Sequence, residues 1–190
     1  LPAGPLREGP KRLNTVSAVI FHQRNQTDAS GAESMNTDMN WLPNPLTQPQ
    51  FYVQSGLNRA YALSVLGRTI GLAQFASDLG QNVLMLAAIA RPATFFDMLA
   101  RFGIQGDTLG LPDHAPLDTA MADRLQVLLA EKKYSAILLT EKDAAKCRTW
   151  LKSHPQLAGK IWVVPLAVRQ NADWHALSEH IVNELHQLNH

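Results

Sequence analysis

The sequence has one cysteine, Cys147, no apolar run approaching 18 residues and no block of charge of one sign. A single cysteine excludes an internal disulfide framework and a thiolate cluster for structural zinc, and it favours a reducing compartment. The short apolar runs exclude a bilayer-spanning helix. Because 17 Lys and Arg against 16 Asp and Glu leave a net charge of +1, nucleic acid is not expected as a partner. No initiator methionine or signal sequence precedes Leu1, so we expect the tail of a longer protein.

What is present is organised around residues 83–114. They begin with an apolar run, 83–89, that is typical of a strand buried on both faces of a parallel sheet. Pro92 then suits the first turn of a helix, and Gly103 is typical of the residue that ends one. Four large apolar residues recur between them at helical spacing: Phe95, Phe96, Leu99 and Phe102. A second apolar patch at 108–111 leads into a polar loop, so this stretch predicts strand, helix and strand.

The remaining chain, 46% hydrophobic over 190 residues, continues this alternation. The other predicted strands cover residues 16–21, 136–139 and 161–164, and the other predicted helices cover residues 69–79, 118–132, 140–151 and 173–188. This order predicts an α/β fold, a Rossmann-like parallel sheet with helices on both faces. Residues 51–54 and 59–63, separated by Ser-Gly-Leu-Asn, predict a β-hairpin arm. Residues 23–50 are rich in Asn, Gln, Ser, Thr and Pro and predict a long loop.

Polar residues gather at the predicted carboxyl ends of two strands. They are Asp113 and His114 after one strand, and Thr140, Glu141, Lys142 and Asp143 after another. In a parallel sheet these ends lie on the same edge, where open α/β sheets bind ligands. A histidine beside an aspartate can act as a general base or steady one, and a lysine at a helix start can bind phosphate or carboxylate. The structural alternatives are a histidine satisfied by a backbone carbonyl and acidic residues that compensate the helix dipole.

A second polar pair, Arg7 and Glu8, lies within residues 1–10. The three prolines and two glycines of that stretch preclude a regular helix and indicate a shaped loop. In such a loop Arg7 could hold a phosphate and Glu8 a metal ion. The alternative is an ordinary ion pair in a solvated linker.

Three separated motifs favour the functional alternatives. They are PAGPLRE at residues 2–8, IARPATFF at 89–96 and TEKDAAKCR at 140–148, in this order and at suitable spacing. Together they resemble the C-terminal half of the tetraacyldisaccharide 4'-kinases, the lipid A 4'-kinases of Gram-negative bacteria. The Pro-Asp-His sequence at 112–114 is similar to that family's Asp-His signature. The resemblance extends from the first loop to the final helix.

The resemblance implies an ATP- and Mg²⁺-dependent transfer of the γ-phosphate to the 4'-hydroxyl of a tetraacyldisaccharide 1-phosphate, at the cytoplasmic face of the bacterial inner membrane. The family folds as a P-loop domain followed by a smaller Rossmann-like domain, with a hairpin arm between them and the active site in the cleft. The resemblance also implies that His114, next to Asp113, assists an aspartate base. Arg7 and Glu8 then fall on the loop beside the nucleotide phosphates and metal, with Glu8 as a metal ligand. Residues 140–143 line the site.

The chain also departs from the family pattern. It has no G-x-x-x-x-G-K-[ST] sequence, and it lacks the family's base aspartate, its paired metal-binding aspartates and its N-terminal membrane-anchoring helix. We therefore interpret residues 1–15 as the exit loop of a missing P-loop domain and 16–66 as the first strand, long loop and hairpin arm. Residues 67–172 are then the C-terminal Rossmann-like domain and 173–190 a terminal amphipathic helix. Such a fragment is expected to be inactive alone. The alternative function is a non-catalytic α/β module that binds a nucleotide or a lipid headgroup.

Overall fold

The computed structural model describes residues 10–23, 46–65 and 67–188, which belong to two compact units. One unit combines the described residues up to Ser55 with those from Val168 onward, and the other is Gly56–Ala167. Arg7, Glu8 and most of the predicted loop at 23–50 lie outside the described residues.

The described elements begin with a 3₁₀ helix, Pro10–Thr15. The strands are β1 (Val19–Gln23), β2 (Gln50–Gly56), β3 (Arg59–Ala62), β4 (Thr69–Gly71), β5 (Val83–Ala87), β6 (Gly106–Gly110), β7 (Ile137–Thr140), β8 (Ile161–Val164) and β9 (Ala167–Val168). The helices are α1 (Leu72–Asp78), α2 (Pro92–Ala100), α3 (Thr119–Lys132), α4 (Glu141–Cys147), α5 (Pro155–Ala158) and α6 (Ala172–Leu188).

The larger unit is built on a six-stranded sheet in the order β4-β3-β8-β7-β5-β6. Strands β8, β7, β5 and β6 are parallel, with Met85 opposite Thr108 on one side and Leu138 on the other. This confirms the predicted α/β fold with a parallel sheet. Two strands at one edge, β3 and β4, are antiparallel and were not predicted as sheet members in this arrangement.

Helices cover both faces of this sheet, as predicted. Successive side chains of β5 point to opposite faces, so Met85 packs in a core with α1 and α2, whereas Leu86 packs in a core with α3, α4 and α5. Every residue of β5 and β8 is buried. The continuous apolar runs in the sequence therefore reflect strands covered from both sides.

Helix α2 follows the predicted pattern closely. Pro92 is its first residue, and the chain leaves the helix through Gly103 at φ +82°, a conformation that glycine adopts without steric penalty. Phe95 and Leu99 are buried against the sheet, while Phe96 is half-buried. Phe96 and Phe102 also pack against this core while staying partly exposed, so the predicted stripe is present with these two residues at its margin.

The smaller unit contains a three-stranded sheet in the order β1-β2-β9, with β1 and β2 parallel, and helix α6. Phe51 and Val53 of β2 pack against Leu177 of α6. The predicted start of this helix at residue 173 is one residue late, because α6 begins at Ala172 and Asn171 is its N-cap. Asn171 Oδ1 accepts the Trp174 N–H at 2.9 Å, whereas Asp173 accepts the Tyr52 N–H at 3.3 Å. An N-cap side chain bonds two or three residues ahead, which places Asn171 and not Asp173 at that position.

The apolar face of α6 is buried over only part of its predicted length. Leu177 is 4% exposed, but Ile181 and Leu185 are 47% and 54% exposed. Periodicity therefore identified the helix correctly without showing how much of its stripe the described chain covers.

The predicted β-hairpin of residues 51–54 and 59–63 is wrong. Strand β2 pairs in parallel with β1 in one sheet, while β3 pairs antiparallel with β4 and β8 in the other. The apolar residues of β2 pack in one core and Ala60 and Ala62 of β3 in another, so the two segments have no reason to pair. The predicted helix at 69–79 is correct only from Leu72, because its first residues form β4.

Candidate active site at the carboxyl ends of the strands

The strand order creates a switch point between β5 and β7. From β5 the chain crosses through α2, on one face, to β6, whereas from β7 it crosses through α4 and α5, on the opposite face, to β8. Crevices outside the carboxyl ends of strands at such a point are where α/β sheets bind ligands. The segments that follow β5, β6 and β7 meet at this edge.

Asp143 lies at the centre of this edge and is fully buried at 0% exposure. Thr140, the N-cap of α4, accepts the Asp143 N–H at 3.2 Å through its hydroxyl oxygen and donates its own hydroxyl hydrogen to Asp143 Oδ2 at 2.8 Å. The same carboxylate oxygen accepts the backbone N–H of Ala88, the residue after β5, at 3.0 Å. Asp143 therefore joins the ends of the two strands that flank the switch point.

Lys146 compensates the buried charge of Asp143. Its Nζ donates to Asp143 Oδ1 at 2.9 Å, to the carbonyl oxygen of Ala115 at 3.1 Å and to that of Ala88 at 3.4 Å. Since an ammonium group has three donors, these three acceptors satisfy it. The Asp143–Lys146 pair thus contacts all three segments of the edge.

Asp113 and His114 form an exposed turn in the segment after β6. The Ala115 N–H donates to the Pro112 carbonyl at 3.0 Å, and the His114 N–H donates to Asp113 Oδ1 at 3.0 Å. The His114 ring is 75% exposed, and its Nε2 lies 3.7 Å from Asp113 Oδ2. Among the described residues the ring makes no hydrogen bond to a backbone carbonyl, which was the structural alternative for this histidine.

Lys142 connects this turn to α4. Its Nζ donates to Asp113 Oδ1 at 3.1 Å, and this hydrogen bond is the main reason that the pKa of Asp113 lies below its usual value. The nearby His114 and the Lys142 charge lower that pKa further, while partial desolvation opposes them. The expected approach of residues 113–114 and 140–143 at one edge is therefore present for Asp113 and Lys142.

Glu141 lies on a different side of α4 from Lys142. It is exposed, and its carboxylate is the second cause, after burial, of the raised pKa of Tyr61 on β3, with Arg148 opposing it. The four residues 140–143 therefore differ in what they do: Thr140 caps α4, Lys142 binds Asp113, Asp143 binds Ala88 and Lys146, and Glu141 acts on Tyr61 through its charge.

Cys147 follows Lys146 on α4 but offers no nucleophile. Burial raises the pKa of its thiol to about 12, and the Asp143 carboxylate adds to the shift while Lys146 opposes it. Its Sγ lies 3.4 Å from the carbonyl oxygen of Asp143, to which it donates. A protonated, buried thiol of this kind is a packing group.

The described residues contain no group of three or more His, Cys, Asp or Glu side chains placed to hold a metal ion. Two of the carboxylates at this edge, Asp113 and Asp143, each bind a lysine, so they do not fit the ligand set of Mg²⁺. Among the helices that the structure describes, none is long and apolar enough to cross a membrane.

Comparison with known proteins decides the family. A model of the Tetraacyldisaccharide-1-P 4'-kinase family matches residues 1–186. The chain belongs to this family. A Tetraacyldisaccharide 4'-kinase of Polynucleobacter necessarius is 34% identical over 92% of the chain, and that of Janthinobacterium sp. is 33% identical over 97%. The protein of the same name from Actinobacillus pleuropneumoniae is 32% identical over 89% of the chain.

The chain spans less than half the length of these curated kinases, between 41% and 46%. No solved structure matches it significantly. In this member of the tetraacyldisaccharide-1-P 4'-kinase family, sequence reasoning missed Lys146, which contacts all three segments of the edge. Its position three residues after Asp143 on a helix places the two on one face, and that spacing was the available signal.

Proposed function

We propose that the chain is the C-terminal part of a kinase that transfers the γ-phosphate of ATP to the 4'-hydroxyl of a tetraacyldisaccharide 1-phosphate in lipid A biosynthesis. The observation that carries the proposal is the family match over residues 1–186. The position of His114, exposed at the switch-point edge, supports it. The enzyme would meet its lipid substrate at the cytoplasmic face of the inner membrane. It would contact that surface through a part of the protein that is N-terminal to these residues.

In this reaction the 4'-oxygen attacks the γ-phosphorus, the bond to ADP breaks and the hydroxyl proton passes to a base. Phosphoryl transfer depends mainly on positioning and electrostatic stabilisation. We assign His114 the task of steadying the aspartate base, and Asp113 the task of orienting His114 through its backbone N–H and its ring. Thr140, Glu141, Lys142 and Asp143 line the same edge.

Arg7 and Glu8 lie outside the described residues, and their roles rest on the resemblance of the PAGPLRE motif. Arg7 is proposed to contact the nucleotide phosphates, for which a guanidinium fork is well suited. Glu8 is proposed to hold Mg²⁺, which prefers carboxylate oxygen. The metal supplies charge neutralisation at the phosphates when bound.

The alternative, a non-catalytic module that binds a nucleotide or a lipid headgroup, has less support at this edge. Phosphate groups in α/β folds often bind backbone N–H groups that follow the first parallel strand of the sheet, which is β5 in the larger unit here. Here the corresponding N–H of Ala88 is bound by the chain's own Asp143 carboxylate. Lys142 and Lys146 are also engaged by carboxylates.

Substitution of His114 in the full-length enzyme tests the proposal. We expect His114→Ala and His114→Asn both to lower kcat by about 10²-fold, the lower end of the effect of general-base assistance. Asparagine tolerates the positive φ of this position, so it removes the imidazole while keeping the backbone preference. The denaturation midpoint is expected to change little because the ring is 75% exposed.

His175, another exposed histidine, on α6, provides the matched control. His175→Ala should leave kcat unchanged. Unchanged kcat in both His114 variants together with a lowered midpoint would show that His114 is structural.

A further inference from the structure

His114 has a backbone conformation that requires support from its surroundings. Its φ is +62°, in the left-handed region that non-glycine residues rarely occupy. Such conformations persist only where neighbouring contacts determine them, and they concentrate at functional sites. The contacts that hold this turn therefore bear on where the imidazole is placed.

Two sets of contacts hold the turn, one exposed and one partly buried. The exposed set consists of Asp113 and Lys142, whose side chains are 38% and 46% exposed and which are joined at 3.1 Å. The other set reaches the turn through Lys146, whose Nζ donates to the carbonyl oxygen of Ala115, the residue directly after His114, at 3.1 Å. The Lys146 side chain is 22% exposed and is fixed at its far end by the fully buried Asp143. Exposed ion pairs are weak, so the Lys146 contact is the firmer of the two.

The Asp143–Lys146 pair is not explained by stability alone. Removing two charges from water is unfavourable, and apolar residues of similar size often replace a buried ion pair without loss of stability. What an apolar pair cannot supply is a donor to the Ala115 carbonyl together with an acceptor for the Ala88 N–H. The pair therefore provides position, fixing the turn after β6 relative to the ends of β5 and β7.

We propose that Lys146, held by Asp143, is a positioning residue that places the His114 imidazole for phosphoryl transfer. This inference rests on the proposed kinase function. Lys146 acts through His114 and contacts neither the nucleotide nor the sugar in this role. Removal of the Lys146 ammonium group should therefore lower kcat only while the His114 imidazole is present.

A double-mutant cycle in the full-length enzyme tests this dependence. The neutral pair variant, Asp143→Asn with Lys146→Met, removes both charges and so avoids a buried unpaired carboxylate. On the wild-type background we expect it to lower kcat by about tenfold while KM stays within about twofold, since a helper of His114 should contribute less than His114 itself. On the His114→Asn background the same pair should lower kcat no further. Lys152→Met, at an exposed lysine beyond α4, is the matched control and should leave kcat unchanged.

Hydrogen exchange provides a readout that is independent of activity. The amides of residues 112–115 in the full-length neutral pair variant should exchange faster than in the wild type, because the anchor at the Ala115 carbonyl is gone. The amides of β5 and β7 should exchange as before. Equal losses of kcat on both backgrounds, no loss on the wild-type background, or unchanged exchange in the turn would each overturn the inference. A full-length wild-type enzyme without 4'-kinase activity would instead contradict the proposed function, and the exchange experiment would still test the positioning.

Discussion

Two aspartates at the same edge of the sheet differ because their surroundings differ. Asp113 is exposed and its pKa is lowered chiefly by a hydrogen bond from Lys142, whereas Asp143 is buried and bound by two donors besides Lys146. Sequence order alone placed both at strand ends, because parallel strands end on one edge. It could not show which carboxylate turns inward, since that depends on the Ala88 amide, 55 residues away along the chain.

At the residue scale, the contact between His154 and Asp123 predicts how the stability of the chain depends on pH. His154 Nε2 lies 3.0 Å from Asp123 Oδ1, and this contact raises the pKa of His154, with the Trp150 carbonyl adding to the shift and burial opposing it. A histidine whose pKa is raised in the folded state stabilises the protein fully at pH values below its unfolded-state pKa of about 6.5. This stabilisation is lost as the pH rises through the folded-state pKa. We therefore expect the His154 contribution to the free energy of unfolding, measured in urea, to be lost as the pH rises above about 6.5.

The control for this pH dependence is Asp123→Asn, which removes the acceptor charge and leaves the histidine in place. Because the two proteins differ only at Asp123, the difference between the two pH curves reports on the contact between Asp123 and His154. Parallel curves would mean that the Asp123 contact does not stabilise the protonated imidazole.

At the scale of elements, α2 shows how far periodicity reaches. All four residues of the predicted stripe pack in or against one core. The structure buries Phe95 and Leu99 but Phe96 only in part, with the Phe95 and Phe96 ring centroids 6.0 Å apart. Neighbouring positions on a helix point about 100° apart, so Phe95 faces the core while Phe96 packs at its margin.

Phe95→Ala should therefore destabilise the chain by about 3–5 kcal/mol, since it empties a buried site in the core beneath α2. Phe96→Ala should cost roughly 1–2 kcal/mol, because its ring keeps contact with water in the folded state. Chemical denaturation of the two variants side by side measures both. Equal small losses would refute the packing of α2 on the sheet.

Other elements show where sequence reasoning failed. The apolar runs of β5 and β8 and the Pro92 start of α2 were predicted because each is a local signal. Whether residues 51–54 pair with 59–63 is not local: each segment has an alternating pattern suitable for a hairpin, yet β2 and β3 join different sheets. Pairing depends on which core each apolar face enters, and alternation alone does not encode that.

At the scale of the molecule, the family match and the chain's own sequence lead to one further prediction. The relatives are kinases more than twice as long as the part that aligns, and the 190 residues contain no G-x-x-x-x-G-K-[ST] sequence to cradle a triphosphate. At the switch-point edge the lysines that a phosphate would approach are already bound to Asp113 and Asp143.

We therefore expect the purified 190-residue chain to transfer no phosphate from ATP to a tetraacyldisaccharide 1-phosphate. Transfer of the γ-phosphate to the lipid, followed with labelled ATP in the presence of Mg²⁺, is the measurement, and the full-length enzyme under identical conditions is the positive control. Because phosphoryl transfer depends on holding the triphosphate in place, 190 residues without a G-x-x-x-x-G-K-[ST] sequence are expected to lack most of the rate. Circular dichroism of the same sample must show a folded α/β protein, so that the absence of phosphate transfer cannot be due to unfolding. Turnover by the isolated chain at a rate near that of the full-length enzyme would mean that these residues bind and position ATP by themselves, and the assignment of His114 to an assisting role would then have to be replaced by a direct one.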